Sequence, residues 1–170
     1  CCGRYCIDRS SRCRVVGVVE RDLMEPRFHR DKIRVWTGDG LDDVIIDPLD
    51  YCSEAGILYR VPAGGTTDGL SVPRIVQNII PASGNSSWMA GVLHDSAYRN
   101  QLLRFDGLAF VPALLNRAEA DSLILGAMKA QGVGFIRRWT IYSALRAFGG
   151  KAWDGNRSAA GILRNQLRSV

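Results

Sequence analysis

Histidine is nearly absent from this 170-residue chain, which has only His29 and His94. Two imidazoles far apart in sequence do not supply the second helical histidine of an HD-type phosphohydrolase. Zinc hydrolysis usually draws on more imidazole or thiolate than this. C-x-x-C pairs are also missing. Four of the five cysteines (Cys1, Cys2, Cys6, Cys13) fall in the first 13 residues, and Cys52 stands alone. An odd count excludes a fully paired disulfide framework in a monomer. Cys52 follows the acidic stretch Asp42, Asp43, Asp47, Asp50, a poor setting for a thiolate. There is no G-x-S-x-G elbow, P-loop or dinucleotide fingerprint. No apolar run approaches the roughly 20 residues of a membrane-spanning helix. Internal repeats and low-complexity segments are absent too.

What remains is an ordinary globular composition, 46% hydrophobic and 23% charged, with enough chain for one domain and a real core. The net charge of +5 is unevenly placed. Residues 1–23 carry five Arg against three acids, and 134–170 carry seven Arg or Lys against Asp154 alone, leaving 24–133 net negative. A cationic C-terminal third suits an anionic neighbour such as nucleic acid, a phospholipid surface or an acidic protein face. A solvated charged surface explains it more simply, and nothing else in the chain indicates nucleic acid.

Hydrophobic periodicity divides the rest. Ile33–Trp36 alternates in period two, Gly38-Asp39-Gly40 reads as a turn, Val44–Ile46 is a short apolar run, and Gly56–Val61 reads as a strand ending at Pro62. Pro62–Gly69 is a loop of residues that tolerate unusual backbone angles. A short helix is expected after Pro73. The first long helix is expected from an N-cap at Ser86 or Ser87 through about Leu103, with Trp88, Val92 and Leu93 inward. The second opens at Asn116, with Glu119 three residues on as a capping box, and stops at Gly132. The third spans Phe135 to Phe148, with Trp139, Tyr142, Ala144 and Leu145 mostly on one face, and ends at Gly149-Gly150. The expected fold is therefore α+β: a small N-terminal β unit packed on a three-helix core. Residues 1–23 read as a poorly defined appendage, 24–153 as the single domain, and 154–170 as a polar, basic tail or marginal helix.

His94-Asp95 puts a titratable base beside a hard oxygen ligand. Tyr98 lies one turn beyond His94 on the same face, while Asp95 is rotated about 100° away. Two helices packed antiparallel across a loop of about a dozen residues would bring Asp121 against His94. A carboxylate on one imidazole nitrogen fixes the tautomer and leaves the other free to take a proton from water. Asp95 suits a hard cation, with carbonyl oxygens from the loop of Gly64, Gly65, Asp68 and Gly69. Blander readings fit each group. His94 also fits a partly buried histidine satisfied by a carboxylate, Asp68 a brace of the Ser71-Val72-Pro73 turn, and Asp121 a helix-dipole partner. Arg137, Arg138 and Arg146 fit phosphate neighbours or a solvated helix face equally well.

His94-Asp95, Tyr98, Arg99-Asn100 and Asp121 within Asn116–Asp121 resemble the core of phospholipases A2, particularly their short prokaryotic and parvoviral forms. The resemblance implies His94 as the base that activates water, Asp95 as a calcium ligand with loop carbonyls, and Tyr98 and Asp121 as the groups that orient the histidine. It covers about 35 residues, without the family's flanking disulfides and without its usual calcium loop. A wider resemblance runs through Tyr59–Gly64, Thr67-Asp68-Gly69-Leu70-Ser71-Val72-Pro73-Arg74, Val92-Leu93-His94-Asp95, Ala120-Asp121 with Ala127-Met128, and Arg138-Trp139 through Phe148-Gly149-Gly150. Together these look like a family of uncharacterised phage and prophage proteins, known mainly as a domain of unknown function. The two resemblances together imply a bacteriophage-encoded, calcium-dependent ester hydrolase acting on phospholipid at the host envelope, located in the host cytoplasm or on the virion. The alternative expectation is a non-catalytic tail or neck component of the particle, in contact with other phage structural proteins, whose His/Asp cluster is a brace.

Overall fold

The computed structural model describes residues 25–37, 43–67 and 87–158. The appendage over 1–23, Asp68 and Gly69, the short helix after Pro73 and the chain beyond 158 lie outside the described residues. Six short strands come first: β1 (Arg27–Phe28), β2 (Val35–Trp36), β3 (Asp43–Ile45), β4 (Leu49–Cys52), β5 (Leu58–Val61) and β6 (Thr66–Thr67). Helix α1 (Trp88–Tyr98) precedes a hairpin of β7 (Leu103–Phe105) and β8 (Phe110–Pro112), and then α2 (Arg117–Ala130), α3 (Phe135–Phe148) and α4 (Gly150–Arg157) close the described chain. The architecture is α+β, with the strands antiparallel in two sheets ordered β1-β4-β5-β7-β8 and β2-β3-β6.

Alternation along β4 and β5 divides one face from the other. Leu49 and Tyr51 oppose Val61 and Tyr59 in the ladder, and all four are buried. Asp50 opposes Arg60 on the other face, where two hydrogen bonds of 2.6 Å join carboxylate and guanidinium. The Arg60 guanidinium also lies 4.0 Å over the Phe110 ring, tying the hairpin to the sheet. Cys52 is buried within β4. The β7–β8 hairpin occupies chain that the sequence reading gave to the end of the first helix and a loop. Asp106 Oδ1 accepts from the N–H groups of Leu108 and Ala109, both at 2.9 Å, and Gly107 takes φ +105°. This is the turn chemistry of an Asp-Gly pair between alternating apolar residues.

Helix α1 stops earlier than expected, because Asn100 adopts φ +59° and reverses the chain. Gln101 N–H then bonds Ser96 carbonyl at 2.8 Å and Asn100 N–H bonds Ala97 carbonyl at 3.3 Å, a Schellman pattern. Gly132 does the same for α2 at φ +73°, with Val133 N–H on Met128 carbonyl at 2.9 Å. At the other end of α2 the capping box of Asn116 and Glu119 is formed in both directions. Ser87 is the N-cap of α1, but its side chain makes no capping bond. The Gln131 side chain accepts from Ala90 N–H at 2.8 Å instead, so the end of α2 caps the start of α1.

The core lies between sheet and helices, around Ile45, Leu49, Val61, Val92, Leu93, Leu102, Ile124, Met128 and Ile141. Helix α1 is buried nearly all round, with Asp95 the exception between Ala90 and Tyr98. Helix α3 has its expected limits but a different inward face. Ile141 and Leu145 are buried, whereas Trp139 is 43% exposed. Helix α4 runs through residues 153 and 154, where the expected basic tail or marginal helix begins, and ends at Arg157.

Candidate functional site

Helix α2 buries Ala120, Asp121, Ile124, Ala127 and Met128, the stripe an amphipathic helix turns toward its core. Asp121 is a carboxylate in that stripe and is fully buried. A buried charge is tolerated only when its oxygens are fully engaged, and here they are. His94 Nε2 lies 3.1 Å from Oδ1, and the Tyr98 hydroxyl donates to the same oxygen at 2.6 Å. Arg146 Nη1 donates to Oδ2 at 2.9 Å, and Arg117 Nε stands 3.9 Å from that oxygen, one turn back along α2. Arg117 also donates from Nη2 to the Arg146 carbonyl at 2.8 Å, which pins α3 to α2 over the cluster.

Burial alone would push the Asp121 carboxyl up. The hydrogen bonds from His94, Tyr98 and Arg146 outweigh it and hold the group below its ordinary value. The Tyr98 hydroxyl is pushed well above its ordinary range, first by burial and then by donation to Asp121. An ionised Asp121 accepts only, so Nε2 of His94 carries the proton it donates. In the neutral imidazole Nδ1 then holds the lone pair, and among the described residues Nδ1 has no hydrogen-bond partner.

A second layer fixes Tyr98. Its ring centroid is 4.2 Å from that of His94 and 5.1 Å from that of Trp153, the latter edge-on. Arg157 stacks on Trp153 at 3.9 Å and donates to the Ala97 carbonyl, docking α4 on the end of α1. The α3–α4 corner passes so close that a Cβ on Gly149 would stand 2.6 Å from the Tyr98 hydroxyl, and one on Gly150 2.7 Å from Arg117 Nη1. At Gly149 the Leu145 carbonyl stands equally close, at 2.6 Å, so that position has no room for a side chain, whereas at Gly150 the Arg117 end can swing aside.

The expected trio His94, Tyr98 and Asp121 thus meets within hydrogen-bonding distance. Asp95 faces away, toward β6, where Thr67 Oγ1 donates to its Oδ2 at 2.6 Å. Arg99, one turn on, donates to Thr66 Oγ1 at 2.8 Å. Gly64 takes φ +82° and donates to the Ile45 carbonyl, and the Gly65 carbonyl accepts from Ile45 N–H at 2.9 Å. These two glycines therefore build the return from β5 to β6, and Asp68 and Gly69 lie outside the described residues. Calcium takes six to eight oxygens, roughly. Among the described residues Asp95 meets one hydroxyl, which already donates to it, and no group of three or more His, Cys, Asp or Glu could hold a metal ion. These donors alone fall short of a calcium shell.

Arg117 has no site role in the sequence analysis, and Arg146 stands there only as a phosphate neighbour or part of a solvated helix face, not as the partner of Asp121 that it is. Arg117 stands four residues before Asp121, a spacing that marks a helical ion pair. Arg146 had no such local mark, because its partner is 25 residues away on another helix.

Among the described residues no helix is long and apolar enough to cross a membrane. No curated protein and no solved structure matches the chain. One family model does match, over residues 44–145, a span that takes in most of β3, strands β4 to β8, the His94 helix, the Asp121 helix and Arg117, but not β1, β2 or Arg146. That span is more than half of the chain, which belongs to the family described as Protein of unknown function (DUF1353).

Proposed function

We propose that this protein is a hydrolase in which His94 is the general base for attack by water on an ester. The observation that carries the reading is the His94–Asp121 contact of 3.1 Å through Nε2, which leaves Nδ1 without a partner among the described residues. Asp121, held ionised by Tyr98 and Arg146, orients the imidazole and stabilises the imidazolium that forms when Nδ1 takes the proton. Tyr98 holds the carboxylate and stacks on the ring. The resemblance to phospholipases A2 points to a phospholipid ester as substrate, and the wider motif resemblance to a bacteriophage setting, in the host cytoplasm or on the virion. Calcium at Asp95 belongs to the same resemblance, but no step here is routed through it, because the described donors fall short.

A second reading has its own observation. Asp121 is fully buried beneath two arginines, as a structural brace would be, and His94 is only 5% exposed. His94→Gln separates the two. The Gln amide nitrogen reaches the place of Nε2 and keeps a donor on Asp121, yet it cannot take a proton. The expected outcome is loss of hydrolysis of phospholipid vesicles with a melting temperature within about 2 °C of wild type. A wild type without hydrolytic activity, together with a variant melting well below it, would establish the brace.

A further inference from the structure

Helix α3 turns an uncharged face to solvent. Seven of its 14 residues are exposed, Phe135, Ile136, Trp139, Thr140, Ser143, Ala147 and Phe148, and none bears a charge. Phe135, Ile136, Trp139 and Phe148 are 64%, 82%, 43% and 60% exposed. Exposed large apolar side chains gathered on one element mark a surface that something covers. The helix itself and its C-terminal flank carry only cations, although Lys129 is paired with Glu54 at 2.7 Å and Arg146 with Asp121 at 2.9 Å, which leaves Arg137, Arg138 and Lys151 as the excess charge. From Ser122 to Trp153 the sequence has no acid, but it has Lys129, Arg137, Arg138, Arg146 and Lys151. The Arg138 guanidinium stands 5.5 Å from the Phe135 ring, within the aromatic cluster itself.

We infer that the outer face of α3 docks on an anionic lipid bilayer. An apolar ridge alone would suit many occupants, and cationic flanks alone would suit any polyanion. A bilayer surface with anionic headgroups asks for both: side chains that enter hydrocarbon, and arginines that stay at headgroup level. Nucleic acid leaves the exposed Ile136 and Phe148 unexplained. A second copy of the same face would bring like-charged flanks together. A protein interface would need about one hydrogen bond per 100–200 Å². The ridge offers few, because the Thr140 hydroxyl is already bonded to the Ile136 carbonyl at 2.9 Å. The aromatic cluster is also undercut. A groove of about 560 Å³ opens beneath it, between Leu123 of α2 and Tyr59 of β5, with Phe135, Arg138 and Trp139 as its near wall and Glu54 and Glu119, the former paired with Lys129, on its far side. The inference does not depend on His94 being a base.

The test is co-sedimentation of the full chain with vesicles of pure phosphatidylcholine, and of phosphatidylcholine containing phosphatidylglycerol. Wild type is expected to bind the mixed vesicles, to release them as salt rises, and to leave the neutral ones. Ile136→Asp should weaken binding on the order of tenfold or more, and Arg138→Gln roughly fivefold. Ile136 is exposed and Arg138 half-buried at the edge of the groove, so melting temperatures should stay close to the wild-type value, and the Ile136→Asp binding loss in particular is then not a folding loss. His94→Gln should bind as wild type does, whatever it does to hydrolysis. Failure of wild type to bind mixed vesicles would overturn the inference, as would undiminished binding by Ile136→Asp. A wild-type dimer that Ile136→Asp dissociates, without vesicle binding, would assign the face to a second copy instead.

Discussion

Arg146→Met tests the electrostatics of the buried carboxylate most directly. The substitution removes the 2.9 Å charge-assisted hydrogen bond to Asp121 and leaves a side chain of similar length to fill the space. Removing one partner of a buried ion pair costs about 3–5 kcal/mol. Two features reduce that figure here. The Arg146 side chain is 36% exposed, so water already screens the pair, and Arg117 stays 3.9 Å from the same oxygen. A loss of about 2 kcal/mol follows, or about 4–8 °C in melting temperature for a chain of this size. The pH dependence has a definite sign. Asp121 is held below its ordinary 3.8, so its contribution is complete above that value and is lost as pH falls through the lower, folded value. The gap between wild type and Arg146→Met should therefore be full near neutral pH and should narrow in acid, where both proteins carry a protonated Asp121. Thermal melts across that range measure it. Equal stability near neutral pH, or a gap that persists unchanged into strong acid, would refute the ion-pair account.

Other outcomes follow from the same cluster. Tyr98→Phe removes the 2.6 Å donor to Asp121 and should cost about 1.5–3 kcal/mol in a thermal or urea melt, while the ring contact with Trp153 persists. Gly149→Ala drives a Cβ to 2.6 Å from both the Tyr98 hydroxyl and the Leu145 carbonyl, so it should lower stability by about 1–3 kcal/mol and hydrolysis with it. Gly126→Ala would confirm a parallel close approach elsewhere, since its Cβ would stand 2.6 Å from the Tyr51 hydroxyl, and should cost a similar amount. Calcium titration tests Asp95 directly, because a ligand at about a hundred times its Kd adds about 2.7 kcal/mol of stability. A stoichiometric calorimetric signal lost in Asp95→Asn would mean that other chain completes the shell.

Local chemistry made much of this fold legible. The limits of α3, the capping box at Asn116 and Glu119, and the Gly132 stop each depend on a few neighbouring residues, and each is where the sequence places it. The end of α1 was equally local but was overrun, because Asn at a left-handed position is a weaker mark than Gly. The β7–β8 hairpin carried an Asp106-Gly107 turn between Leu103-Phe105 and Phe110, yet helical continuation from the preceding segment obscured it. In the site, His94, Tyr98 and Asp121 could be paired on paper because each sits on a periodic helix face. Arg146 could not, since a single arginine near a helix end looks solvated until the third helix is placed. The outward turn of Trp139 was hidden for a related reason. Aromatic residues fit either face of a helix, and the smaller Ile141 and Leu145 took the inner one.

The hairpin has one more consequence. His94 and Asp121 sit on helices joined through β7 and β8, whose exposed tip includes Leu108 at 94% exposure. A chain cut between Gly107 and Leu108 places the imidazole on one polypeptide and its carboxylate on the other. Those fragments would rebuild the His94–Asp121 contact by packing α1 on α2 again, with Leu103 re-pairing Pro112 and Phe105 re-pairing Phe110 at the cut hairpin. The site would then behave as a complementation sensor, with reassociation of the two fragments as its input and the restored helix contact as its output.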